Sequence, residues 1–246
     1  MKICMTIAAF FLTASLVCAQ EKEAFMANGD GLWLKRSESI DNVRQAIELW
    51  QKAGEKDPKD ATPLYQISMG YYFLGRFSEG DETFKKDLFT KGKEWGEKAV
   101  AVDPQSAGAH YFLAVNMAKW GEAHGKVKSL FLSKDLIGNL SKAKDIDPTF
   151  YYGGADRVLG KVLFEVPGVF GGDKKRAEEH LRASLKIAPN YGLTLLYLAE
   201  LLIDANRKEE AKGILDKLAT LQPMPGFEQE LKDDQDNGNK LRQKLK

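Results

Sequence analysis

The chain has two cysteines in 246 residues, Cys4 and Cys18, both within its first twenty positions. It therefore lacks the spaced pairs from which disulfide frameworks and thiolate metal sites are made. Histidines number three, His110, His124 and His180. None has a partner at ligand spacing and no HExxH occurs, so no metal site is expected. A GxSxG elbow and a Walker-type phosphate loop are also absent, and neither a catalytic residue nor a cofactor is expected. Charge of one sign is lacking too: 36 basic side chains stand against 35 acidic ones, a formal net charge of +1. That balance gives no electrostatic reason to expect nucleic acid as a partner. No stretch sustains the period-two alternation of a strand.

One apolar run stands apart. Lys2 is followed by ICMTIAAFFLTASLVCA, with no charge until Glu21. A basic start, an apolar centre and the small-residue ending Val17-Cys18-Ala19 read as a signal peptide over residues 1–19, cut after Ala19. The run is short for a membrane span, which needs about 20 apolar residues. The expectation is a periplasmic protein beginning at Gln20, without cysteine and with no net charge. Acylation at Cys18 is the alternative and would anchor it to the membrane. Val17 argues against that, because lipoprotein signals usually carry a small Gly, Ala or Ser before the cysteine.

What the rest of the chain has in abundance is helical periodicity. Val43, Ala46, Ile47, Trp50 and Ala53 follow three-four spacing. So do Phe84, Leu88, Trp95, Ala99 and Val102, then Ala109, Phe112, Leu113, Met117 and Trp120. Ala155 to Val166, Leu195 to Leu202 and Ala211 to Leu218 continue the pattern. Asp57-Pro58, Asp103-Pro104, Asp147-Pro148 and Ala188-Pro189 end helices, since proline disfavours helical geometry in the residue before it. Gly75, Gly121 and the pair Gly171-Gly172 read as further turns, with Asp173 as the N-cap of the next helix. Gly29 and Gly31 weaken any helix over residues 20–36.

The four prolines mark a repeat. QKAGEKDPKD, EKAVAVDPQS, SKAKDIDPTF and RASLKIAPNY each place a small residue five positions before the proline: Ala53, Ala99, Ala143 and Ser184. The reading is pairs of antiparallel helices with a close contact at each seam. The pattern resembles the tetratricopeptide repeat, whose helix pairs stack into a solenoid. The fold expected is all-α, a solenoid of long or insertion-bearing repeats, because the prolines lie further apart than the usual period of about 34 residues. It should span residues 20–221. Residues 222–246 open with QPMPGF and continue as a polar tail or capping helix.

Few residues invite a functional reading. First helices of the pairs face the concave side of such a solenoid, and Tyr65, Tyr72, Tyr111 and Tyr152 lie on them. Tyrosine suits half-apolar recognition surfaces. Asn116 falls on the apolar stripe of Phe112, Leu113, Met117 and Trp120. It is either an interhelical hydrogen bond or a polar contact in a cleft. Arg157 invites the same two readings. The pairs Glu178-Glu179 and Glu209-Glu210 sit among lysines and arginines and read as solvated helix faces.

GGADRVLGKVLFEVPGVFGGDKKRAEEHLRASLKIAPNY, residues 153–191, resembles the T-component family of TRAP-type transporters, as does residues 91–122. Arg157, Gly160, Pro167, Gly171, Gly172 and Asp173 carry most of the likeness. AHYFLA, with the repeat after it, is also similar to regulator-of-microtubule-dynamics proteins. The first resemblance implies a periplasmic homotrimer that associates with the substrate-binding subunit of an uptake system and holds a small apolar or acidic ligand. The second implies an adaptor in a eukaryotic setting.

Overall fold

The seams are built alike. The amide of Asp103 donates to the Ala99 carbonyl, that of Asp147 to Ala143 and that of Ala188 to Ser184. The proline that follows has no N–H to continue the ladder, and the helix stops. Asp60 and Ser106 then accept from the amides of Thr62 and Ala109, which starts the next helix. Ala53, Ala99, Ala143 and Ser184 are all fully buried, as close contact at each seam requires.

In the computed structural model, the backbone is described for residues 2–245 and side chains for residues 18–245. Eleven α-helices follow in order: α1 (Lys2–Leu34), α2 (Ile40–Lys56), α3 (Ala61–Phe77), α4 (Glu82–Val102), α5 (Ala107–His124), α6 (Lys126–Ile146), α7 (Phe150–Glu165), α8 (Lys174–Ile187), α9 (Gly192–Asp204), α10 (Lys208–Thr220) and α11 (Glu228–Gln243). Among the described residues there is no strand. The chain is an all-α solenoid of tetratricopeptide type. Each helix packs on the next, and α3, α5, α7 and α9 also pack on one another. Helices α3, α5, α7 and α9 therefore form an inner layer, with α4, α6 and α8 outside it. The inner α5 is buried along most of its length.

Four glycines differ from the sequence expectation, among them Gly31, which lies inside α1 with open space where a β-carbon would stand. Gly75 and Gly121 make no turn; they lie inside α3 and α5. A β-carbon on Gly75 would collide with the Phe89 ring, and one on Gly121 would crowd the Ser129 backbone. They serve close helix approach. Gly29 does not interrupt α1, because its bare backbone makes room for the Trp50 indole, whose Nε1 donates to Asp30 at 3.0 Å. At Gly171-Gly172 the turn is real. Gly171 has φ +97° and Gly172 passes so close to the Val166 carbonyl that no side chain fits. Asp173 caps α8 by accepting from Lys175 and Arg176.

The predicted leader, with Cys4, lies outside the described side chains except for Cys18 and Ala19. The Cys18 thiol donates to the Lys56 carbonyl at 3.4 Å. Lys22 bridges Asp57 and Asp60 at 2.8 and 2.7 Å, which ties α1 to the first seam. Among the described residues no helix is long and apolar enough to cross a membrane. Glu178 and Glu210 join Arg182 and Arg207 in a network between α8 and α10. It is solvated, so its worth is small.

Ala99→Leu and Ala143→Leu should each lower unfolding free energy by about 1–3 kcal/mol through overpacking. Urea denaturation checks this, and unchanged midpoints for both would remove these residues from the helix contacts.

Candidate functional site

The C-terminal segment folds back onto the start of the solenoid. After α10 the chain runs through Pro223 and Pro225 to Gly226, whose φ of +80° suits glycine. A β-carbon there would crowd the Leu34 carbonyl and the Arg36 guanidinium. Ser37 Oγ donates to the Gly226 carbonyl at 3.1 Å and accepts from the Gln229 amide at 3.2 Å. Arg36, only 2% exposed, donates from Nε to Glu230 Oε1 at 2.9 Å. Its guanidinium lies between the rings of Trp33 and Phe227, at 4.5 and 4.2 Å. Arg76 at the end of α3 pairs with Asp233 of α11 at 2.7 Å. Residues about 200 positions apart thus meet, and α11 lies against α9 and α10 with Leu231, Asp234, Gly238 and Leu241 buried.

Between α11 and the inner helices a chamber remains. Trp33 of α1, Tyr72, Phe73, Arg76 and Phe77 of α3, and Tyr111 of α5 line one part. Tyr151 and Arg157 of α7, Tyr191 and Leu193 at the start of α9, and Glu230 and Asp234 of α11 complete it. Its volume is ≈ 420 Å³, counting the open mouth.

Arg157 organises the centre of this wall. The chain enters α7 through three residues of left-handed conformation, Tyr151 (φ 48°, ψ 47°), Tyr152 (φ 60°, ψ 46°) and Gly153 (φ 69°, ψ 32°). Left-handed geometry costs about 1–2 kcal/mol per non-glycine residue, so the turn must be held. Arg157 holds it: Nη1 donates to the Tyr152 carbonyl and Nη2 to the Tyr151 carbonyl, each at 3.2 Å. Nη2 also donates to the Tyr111 hydroxyl at 3.2 Å, and the guanidinium stacks on Tyr191 at 3.9 Å. Arg157 makes no ion pair among the described residues, and its buried Nε has no hydrogen-bond partner.

The six residues singled out from the sequence separate into groups. Tyr72, Tyr111 and Arg157 line the chamber. Tyr152 is 43% exposed and packs beside it, against Tyr191 and Phe227. Tyr65 lies elsewhere, stacked on Phe112 and edge-on to Phe150. Asn116 is not in a cleft at all. Its Nδ2 donates to the Ser68 carbonyl, to Ser68 Oγ and to the Phe112 carbonyl, each at 3.0 Å, while Ser68 Oγ donates to the Gly92 carbonyl. The amide clasps α3, α4 and α5, with Gly92 leaving room for it. Gly171, Gly172 and Asp173 shape the turn before α8 and stay outside the chamber lining. Arg36, Arg76, Tyr191, Glu230 and Asp234 were not anticipated. A signal existed for α11: Phe227, Leu231, Asp234, Gly238 and Leu241 repeat at four-three spacing, with a carboxylate in the middle.

Burial pushes Asp234 up to about 7; Asp233 and Glu230 add to this, and Arg76 and Arg157 oppose it. Glu230 is also raised by burial, which outweighs the pull of Arg36. An acid whose folded pKa exceeds its unfolded value, about 3.9, holds a proton that the unfolded chain releases. Its contribution therefore falls as pH rises from about 4 to 7. The carboxylates of Glu178, Glu210, Asp57 and Asp60 are held low, and their contribution is lost only at more acid pH. Asp234→Asn should accordingly be more stable than the parent at pH 8 by about 1–4 kcal/mol. That margin should shrink toward pH 4, as followed by denaturation across pH.

Comparison with known proteins fits this architecture. A tetratricopeptide-repeat model matches residues 172–225. No curated protein matches the chain. Among solved structures, a thermophilic tetratricopeptide-repeat protein of Thermus thermophilus is similar with a TM-score of 0.60 at 20% identity, over 91% of this chain and 96% of that one. PilF of Pseudomonas aeruginosa gives 0.58 at 18%, over 93% and 91%. Yeast Tom70 gives 0.56 at 14%, over 96% of this chain but 43% of its own. At these identities the likeness is one of fold. The regulator of microtubule dynamics protein 1-3 model matches residues 26–170, from the later part of α1 to the edge of the Gly171-Gly172 turn, and the chain belongs to that family.

Proposed function

We propose that the chain is a non-enzymatic docking protein that binds a partner through its concave face, at and around the chamber. The observation that carries this is convergence. Four helices, α1, α3, α5 and α7, together with Tyr191 ahead of α9, direct tyrosine, tryptophan and arginine side chains to one place. A stack of repeats needs only apolar side chains to close its core, and desolvating guanidinium groups is costly. Arginine and tyrosine are the residues on which binding energy concentrates at interfaces. The concave face of a helix-pair solenoid is its extended binding surface.

A finer reading rests on the leader and on the resemblance of residues 153–191. In it the protein is exported to the periplasm as an accessory of a TRAP-type uptake system and docks its substrate-binding subunit. Val127, Phe131 and Val169 are exposed on α6 and the turn after α7, which supports self-association, as in a homotrimer. The broader alternative is a general interaction scaffold of the envelope.

Affinity capture from the native envelope, with mass spectrometry of what is retained, tests both. Exported material should begin at Gln20, and an acylated Cys18 would make the protein membrane-anchored instead. Arg76→Gln should reduce capture about tenfold, the loss expected of one interface arginine, with helicity retained. Capture that is unaffected would move the binding surface off the concave face. A retained set without any solute-binding subunit would leave the general scaffold.

A further inference from the structure

We propose that α11 is a displaceable occupant of the concave chamber, and that the partner recognised there is an acidic helical segment that takes its place. This rests on the concave face being the binding surface. The inner wall supplies three guanidinium groups, Arg36, Arg76 and Arg157, set among Trp33, Tyr72, Phe73, Tyr111, Tyr151 and Tyr191. Among the described residues, the carboxylates that answer them come from α11: Glu230 on Arg36, Asp233 on Arg76, and Asp234 facing the chamber. With α11 lifted, the groove is cationic and aromatic. A helix carrying carboxylates three and four residues apart is the complement that α11 itself displays.

The attachment is also of the right kind to be exchanged. Helix α9 buries Leu195, Leu196, Leu198, Leu201 and Leu202, whereas α11 buries Leu231 and Leu241 as its only large apolar side chains. Its hold on the wall is mainly ionic. The connection from α10 runs through residues 221–227 without helix and with two prolines and a left-handed glycine, so α11 is joined to the solenoid by a non-helical strap.

Finally, α11 satisfies the chamber incompletely. Among the described residues, Glu230 Oε2 and Asp234 Oδ1 are buried without a hydrogen-bond partner, and so is Arg157 Nε on the opposite wall. Buried polar groups are normally paired. The self-contact leaves orphaned atoms of both signs, which a segment with a carboxylate reaching Arg157 would pair better.

The test uses the full chain and a labelled synthetic peptide of residues 226–245, followed by fluorescence anisotropy. The parent should bind the peptide weakly, because the tethered copy competes at high effective concentration. Glu230→Gln with Asp233→Asn should tighten binding about tenfold or more by weakening that competitor. Adding Arg76→Gln should abolish the gain, and a peptide with its three acidic positions changed to amides should show none. Equal peptide affinity for the parent and the folded double variant would overturn the proposal and make α11 a permanent cap. Where the double variant does not fold, hydrogen exchange of the parent decides. Residues 228–243 should exchange together and about a hundredfold faster than α9, as a separate opening unit; protection equal to that of α9 would overturn it. No native partner enters this test, so failure here with Arg76-dependent capture intact removes the latch and spares the concave binding surface.

Discussion

The guanidinium of Arg36 is where the two ends of the solenoid meet. It is stacked between Trp33 of α1 and Phe227 ahead of α11, and it is bonded to Glu230 of α11. A buried arginine is tolerable only when charge and hydrogen bonds replace water. Here Glu230 gives the charge and the Trp33 carbonyl accepts a further bond from Nη1. The geometry that brings Glu230 within reach also fixes Gly226 against Leu34 and sets Ser37 between Gly226 and Gln229. With those contacts made, α11 closes the concave side and the chamber exists. An open solenoid with the same eleven helices would have a groove in its place.

Inside the chamber, a strained entry to α7 and a buried arginine depend on each other. The left-handed turn at Tyr151–Gly153 points two carbonyls at Arg157, and Arg157 needs those carbonyls because no carboxylate among the described residues pairs with it. The turn also sets the Tyr151 and Tyr152 rings beside Tyr191 and Phe227. Strain of this kind persists where surrounding structure over-determines it, and it gathers at functional sites. The chamber is assembled from side chains of several repeats, as the stacking of helix pairs allows.

The helices, the four proline seams and the small residue at each were legible in the sequence, since they depend on local geometry and on contact with the next helix. Asn116 was legible as a buried amide on an apolar stripe, and only its surroundings decided between clasp and cleft. The chamber was half legible. Tyr72, Tyr111 and Arg157 belong to inner helices, and the repeat alone places them inward. Arg36, Tyr191, Glu230 and Asp234 belong to the closure, which joins residues about 200 positions apart; local pattern carries no record of such a contact. Gly75 and Gly121 misled for a related reason. A glycine that admits a neighbouring helix looks, in one dimension, like a glycine that makes a turn. In α11 the polar composition hid a regular four-three stripe with Asp234 at its centre.

The closure of the two ends is energetic and not incidental proximity. A double-mutant cycle on Arg36 and Glu230, measured by urea denaturation of Arg36→Ala, Glu230→Ala and the double variant, tests this most directly. Each single change should be strongly destabilising, because it strands a buried charge. The double variant should be little worse than either alone, a coupling of about 2 kcal/mol or more. Additive losses, with coupling near zero, would contradict the claim that this pair holds the two ends of the chain together.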